Sequence, residues 1–232
     1  MAHLSNTTPQ MTRRAFLSAS LGVAALSLAG CGGSGATAGS ASGSASTAST
    51  SAAATDGPIT EATGDYASGF HDATIEVESY GTIKLQLNGT VAPVTVANFA
   101  NLASSGFYDG LTFHRIIKGF MMQGGDPNGD GTGGSDRTIV GEFAENGHPN
   151  PISHVRGTIS MARSSAPNSA SSQFFIMQED SVNLDGNYAA FGHVTDGMDV
   201  VDAICNSAEP TDGNGTIAKD KQPKITSLRM DD

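Results

Sequence analysis

Apolar and polar residues alternate with a period of two over Thr74-Ile75-Glu76-Val77-Glu78 and again over Thr82-Ile83-Lys84-Leu85-Gln86-Leu87. That period sends every second side chain to one face of a strand. The intervening Ser79-Tyr80-Gly81 predicts a hairpin with a short turn. From Pro93 to Ser105 the period changes: Val96, Phe99, Ala100 and Ala103 fall on one face of a helix. A proline near its first turn and Gly106 just past its end mark its limits. The run from Phe113 to Asp126 reads as two short strands broken at Lys118-Gly119. Gly157–Ala162, Gln173–Gln178 and Ala189–Val194 predict further strands, Gly197–Ile204 a second helix, and Lys224–Met230 a closing strand. Many short strands with two helices predict a mainly β, closed architecture. Pattern alone takes the fold no further.

The beginning of the chain follows other rules. Ala15 to Ala29 is uncharged and apolar, too short to span a hydrocarbon core, which needs about 20 residues, but suited to an export signal. Thr12-Arg13-Arg14-Ala15-Phe16-Leu17 before it resembles a twin-arginine motif, and Leu28-Ala29-Gly30-Cys31 after it resembles a bacterial lipobox. The expectation is a signal peptide over residues 1–30, with Cys31 as the lipid-bearing new N-terminus on the outer side of the cell membrane. Residues 31–70 are then expected to form a flexible tether. From Gly32 to about Thr55 this stretch is almost wholly Gly, Ala, Ser and Thr, and it cannot bury apolar surface. Residues 71–232 remain as one domain with a single core.

Charge and cysteine content narrow the function. The net charge is −11, and a cut before Cys31 removes Arg13 and Arg14 but no acid. So acidic a chain is not expected to bind nucleic acid or to reach a membrane through a basic patch. Cys31 and Cys205 are its two cysteines. With the first lipidated, no internal disulfide and no cysteine zinc site is expected.

The candidate chemistry lies in Phe113-His114-Arg115-Ile116-Ile117-Lys118-Gly119-Phe120-Met121-Met122-Gln123-Gly124-Gly125-Asp126. A guanidinium keeps its charge in any protein and is costly in an apolar run unless something uses it. Ser171-Ser172-Gln173-Phe174-Phe175-Ile176-Met177 is a second unusual run. Together the two resemble the core motifs of the cyclophilin family of peptidyl-prolyl isomerases, and the resemblance extends over about Thr74 to Met230. It implies a closed eight-stranded antiparallel β-barrel capped by two α-helices, no cofactor and no metal. It implies proline-containing polypeptides as partners; with the export signal, these are expected to be proteins folding outside the cytoplasmic membrane, and the enzyme is expected to be a monomer.

The resemblance also assigns residues. The catalytic arginine falls on Arg115 and its supporting glutamine on Gln123. Phe120, Met121, Phe175 and Leu184 would line the proline pocket. Gln173 and the backbone of Ala162 and Arg163 would hold the substrate main chain, and Gly131 would border the pocket. Three departures stand out. Asn183 replaces a tryptophan of vertebrate members, so weak cyclosporin binding is expected. Tyr188 replaces a rim histidine. Met161-Ala162-Arg163-Ser164-Ser165-Ala166-Pro167-Asn168 is one residue longer than the vertebrate loop, with Arg163 in place of its asparagine. These leave two rival readings open: a module that grips proline-containing segments without turnover, and a chaperone-like lipoprotein.

Other signals carry less. Gly129-Asp130-Gly131-Thr132-Gly133-Gly134 matches G-x-G-x-x-G but lacks the strand before and the helix after that a dinucleotide site requires. Asp126 to Gly131 imitates the start of an EF-hand loop, yet its twelfth position is Arg137. His148 and His154 have no ligand spacing and read as loop residues. Strand alternation is expected to turn His114 away from Arg115, into a hydrogen-bonded, partly buried position.

Overall fold

The computed structural model describes residues 57–231. The signal-like segment, Cys31 and the whole Gly/Ala/Ser/Thr-rich stretch lie outside the described residues. The first hairpin forms from β1 (Phe70–Val77) and β2 (Gly81–Asn88), with Ile75 opposite Ile83. Their inward residues Ala73, Ile75, Ile83, Leu85 and Leu87 are fully buried, as the alternation requires. The strand β1 begins four residues before the predicted start.

Next comes α1 (Pro93–Ser104), with proline in its first turn and a bare alanine, Ala92, as N-cap. The missing cap comes from far along the chain. The buried Glu142 carboxylate accepts from the backbone N–H of Val94 (3.1 Å) and Thr95 (2.8 Å) and from the Thr95 hydroxyl (2.7 Å). A carboxylate there satisfies orphan donors and meets the positive end of the helix dipole.

The remaining elements are β3 (Thr112–Ile117), β4 (Met121–Asp126), β5 (Thr158–Met161), β6 (Phe174–Met177), β7 (Ala190–Asp196), α2 (Met198–Ser207) and β8 (Ile225–Met230). These strands pair antiparallel throughout, in the order β3-β4-β6-β5-β7-β2-β1-β8. Here the closed barrel expected from the resemblance needs correction: the sheet is an open half-barrel. Its edge strands β3 and β8 form no ladder and meet at one end, through a bridge between Thr112 and Lys224 and a few backbone bonds beside it. The physical reason is the segment before β8, which lies against β3: the N–H of Ile116 donates to Gly215 O and that of Ile217 to His114 O. That segment takes up β3 hydrogen bonds that a closed sheet would give to β8.

Residues 57–69, within the stretch 31–70 expected as tether, run along the domain. Ile59 bridges Ile139, its N–H bonding Thr138 O at 2.8 Å, and Tyr66 packs on the main core. Phe99 is central to that core: its ring contacts Tyr108, Phe174 and Phe191 at centroid distances of 5.1–5.5 Å. No described helix is long and apolar enough to cross a membrane.

Candidate active site

Strands β4 and β6 are buried on both faces, and alternation divides their side chains between two clusters. Met122, Phe174 and Ile176 belong to the main core, whereas Met121, Phe175 and Met177 form a smaller cluster with Ile117, Phe120, Ala162, Leu184 and Tyr188. That second cluster is the floor and wall of an open cavity of about 200 Å³. Nine of the expected residues line it: Arg115, Phe120, Met121, Gln123, Ala162, Arg163, Phe175, Leu184 and Tyr188. Gln173 and Gly131 instead line the adjoining cavity, of about 240 Å³, which shares Gln123, Ala162 and Arg163.

A bulge aims the arginine. Phe113 pairs with Gly124 and Arg115 with Gln123, so the register slips between them. Phe113 and Ile116, of opposite parity, can then both enter the main core, and His114 and Arg115 share the outer side. This corrects the expectation for His114. Its ring lines a polar cavity together with Arg115 instead of facing away from it. It is 4% exposed, and neither ring nitrogen has a hydrogen-bond partner among the described residues. Burial holds its pKa below the ordinary 6.5, with Arg115 acting in the same direction and Asp126 and Asp130 opposing. The ring is neutral at physiological pH.

Arg115 is held at two of its nitrogens. Nε donates to Asn214 O at 2.8 Å, and Nη1 donates to Gln123 Oε1 at 3.2 Å and faces Met121 Sδ at 3.9 Å. Gln123 is fixed in turn: its Nε2 donates to Gln173 Oε1 at 2.9 Å, and Gln173 Nε2 donates to Gly133 O at 2.7 Å. No group among the described residues accepts from Nη2 of Arg115. Burial lowers the guanidinium pKa while Tyr188 and Asp212 act against it, and the group stays charged. The site thus offers a cation with a free donor edge over an apolar cup.

The rim has its own supports. The Arg163 guanidinium lies 4.8 Å from the Phe143 ring centroid and 4.9 Å from that of Tyr188. Its Nε and Nη2 both donate to Asn187 O, at 2.9 and 2.7 Å. Tyr188 meets Phe175 edge to face at 5.8 Å. Asn183 is exposed and does not line the cavity.

Three participants escape the sequence reading. Asn214 acts through its backbone carbonyl, which no side-chain signal reveals. Phe143 carries Arg163. His154, read as a loop residue, is fully buried and stacks on Phe175 with centroids 5.9 Å apart. Its Nδ1 bonds Asp185 at 2.8 Å, and Nε2 meets the Ser160 hydroxyl at 3.0 Å. Burial lowers its pKa, so it stands as a neutral, doubly bonded prop behind the cavity wall. The EF-hand-like loop is folded by its own backbone: Asp126 accepts from the N–H groups of Asn128, Asp130 and Gly131. No helix follows the G-x-G-x-x-G run.

Comparison with known proteins identifies the family. The family model described as cyclophilin type peptidyl-prolyl cis-trans isomerase matches residues 73–230. A peptidyl-prolyl cis-trans isomerase of Synechococcus elongatus is 49% identical over 124 residues, 53% of this chain and 80% of the relative. Peptidyl-prolyl cis-trans isomerase B of Bacillus subtilis is 45% identical over 130 residues, 56% of this chain and 87% of the relative. A solved cyclophilin type isomerase of Cryptosporidium parvum superposes with a TM-score of 0.62 at 31% identity, covering 71% of this chain and 99% of its own. A further structure from that organism, in the presence of the dipeptide Ala-Pro, gives 0.61 at 32% identity, covering 69% and 99%.

Proposed function

Since the chain belongs to the cyclophilin type peptidyl-prolyl cis-trans isomerases and is an enzyme of that class, we propose that Arg115 is its catalytic group and exported polypeptides are its substrates. An X–Pro bond rotates over a barrier of about 18–20 kcal/mol because the amide loses conjugation when twisted. In the twisted state the prolyl nitrogen regains a lone pair and accepts a hydrogen bond that the planar amide accepts poorly. A donor waiting at that point binds the transition state more tightly than the substrate, which is the condition for catalysis. Each 1.4 kcal/mol of that preference is worth about tenfold in rate.

The observation that carries this reading is the state of Arg115: Nε and Nη1 are occupied and Nη2 is left to the cavity. Phe120, Met121, Phe175, Leu184 and Tyr188 would hold the pyrrolidine ring, and their apolar surface strengthens a nearby charge. Gln123 keeps the guanidinium in register, while Gln173 and the backbone of Ala162 and Arg163 receive the substrate main chain beside Gly131. Purified protein is expected to accelerate cis-to-trans exchange of an Ala-Pro peptide, observed by exchange NMR, in proportion to its concentration. Retained peptide binding without acceleration would reduce the site to a recognition module.

The location follows from Arg13-Arg14, the apolar stretch after them and Leu28-Ala29-Gly30-Cys31. We infer a lipid on Cys31, anchoring the enzyme to the outer side of the cell membrane, where newly exported chains fold. Cys31→Ala is expected to move the protein from the membrane fraction to the soluble fraction. Unchanged fractionation would refute the lipid anchor.

A further inference from the structure

Arg115 is fixed from outside its own hairpin. Its Nε donates to a carbonyl 99 residues away, that of Asn214, in the loop before β8. This loop has a definite fold. Asp212 Oδ1 accepts from the N–H of Asn214 (2.9 Å) and of Thr216 (3.0 Å), while Oδ2 accepts from the Thr216 hydroxyl (2.8 Å). Thr211 closes the turn, its N–H donating to Thr216 O at 2.8 Å.

The turn is also pressed onto the catalytic strand. Gly215 O accepts from Ile116 N–H at 2.8 Å, and Thr216 bridges Arg115. Gly215 has φ of +89°, and a Cβ there would come within 2.5 Å of Ile117 Cγ1 and 2.7 Å of Ile116 O. Glycine is therefore required for so close an approach. Asp212 itself is exposed and touches neither the cavity nor the main core. Its bonds all go to the turn that presents the Asn214 carbonyl.

We propose that Asp212 is a positioning residue for the isomerase reaction: by folding the 212–216 turn it places the Asn214 carbonyl against Arg115 Nε and so aims the free edge of the guanidinium. This rests on the reading of Arg115 as the catalytic group. With Asn214 O in place, rotation of the guanidinium plane about its stem is stopped at one end, and Gln123 stops it at the other. Without the turn, Nη1 keeps its contacts to Gln123 and Met121 but Nε has no anchor, and the donor edge wanders. Small losses of alignment are costly because a reacting group must already be in place when the transition state forms. The same donors, led by Thr216, keep the Asp212 carboxyl below the usual carboxylate range, so the turn stays intact through neutral pH.

The test is a three-member series on the whole protein, assayed with an Ala-Pro peptide well below each variant's melting temperature. Asp212→Ala is expected to lower kcat about tenfold while KM stays within about twofold, since alignment and not binding is lost. Asp212→Asn, whose Oδ1 can still accept from both N–H groups, is expected to restore activity to within about threefold of the parent. Asp212→Ser, with a single shorter acceptor, should fall between. NMR of the Arg115 Nε–H supplies a readout independent of turnover: slow exchange in the parent and in Asp212→Asn, fast exchange in Asp212→Ala.

Unchanged kcat in Asp212→Ala, or a rise in KM alone, would overturn the proposal. Failure of Asp212→Asn to rescue would overturn it as well, showing that the charge acts on Arg115 directly. An inactive parent would instead overturn the reading of the site, while the Nε–H signals would still report on the turn.

Discussion

Replacing Arg115 with alanine is expected to lower kcat/KM for an Ala-Pro peptide at least about tenfold, equivalent to about 1.4 kcal/mol of transition-state stabilisation. Melting is expected to change by no more than a few degrees. Two opposing features decide the stability side. The side chain makes hydrogen bonds to Asn214, Gln123 and Met121, yet it is only half-buried and its guanidinium carries a desolvation cost. Alanine removes both, and the donors lost belonged to Arg115 itself. The partners left behind, a carbonyl oxygen and a carboxamide, border open cavities where water can satisfy them. Arg115→Lys is a stricter comparison, because it keeps the charge but not the planar fork. If charge alone sufficed, lysine would retain most of the activity. A domain that unfolded on losing Arg115 would show that this arginine serves structure, and the catalytic assignment would fail with it.

Glu142→Ala is expected to destabilise the fold by about 3 kcal/mol while leaving the cavity beside Arg115 in place. The argument is the asymmetry between making a buried hydrogen bond and leaving one unmade. Glu142 is 4% exposed and accepts from Val94 N–H, Thr95 N–H and Thr95 Oγ1. Thr95 is fully buried and Val94 nearly so, so these donors cannot simply pass to bulk water. Ala92 offers no side chain in compensation. Denaturant unfolding of the two proteins, with slopes compared, measures the difference. Glu142→Gln keeps an acceptor oxygen and should lose about half as much. A loss under about 1 kcal/mol in Glu142→Ala would mean that water enters and caps the helix.

The division between what the chain announced and what it concealed has physical causes. Both strands of the first hairpin were legible because one side of each faces the core and the other does not, which writes alternation into Ile75, Val77, Ile83, Leu85 and Leu87. Strands β4 and β6 are covered on both sides and show no alternation; they were still legible as short apolar runs within Phe113–Asp126 and Gln173–Gln178. Arg115 stood out as a fixed charge among apolar neighbours. His114 was misplaced because alternation assumes a regular ladder, and the register slip at that residue leaves no mark in the residue types. The sheet's openness was hidden for a related reason. It depends on where the 214–217 segment lies, a matter of hydrogen bonds between distant stretches of backbone. Glu142 reads as an ordinary surface acid because the helix N–H groups it accepts from lie 48 and 47 residues earlier. Only tertiary structure joins the two.

The two-sided burial of β4 and β6 has an evolutionary consequence. Residues that recognise substrate and residues that hold the main core share a backbone but not a contact network: Met121 and Phe175 look one way, Met122 and Phe174 the other. Substitutions on the substrate side therefore disturb the smaller cluster and leave the packing of the main core as it is. Tyr188 lies on that side. Such an enzyme can change which proline-containing segments fit its cavity while the main core keeps its packing.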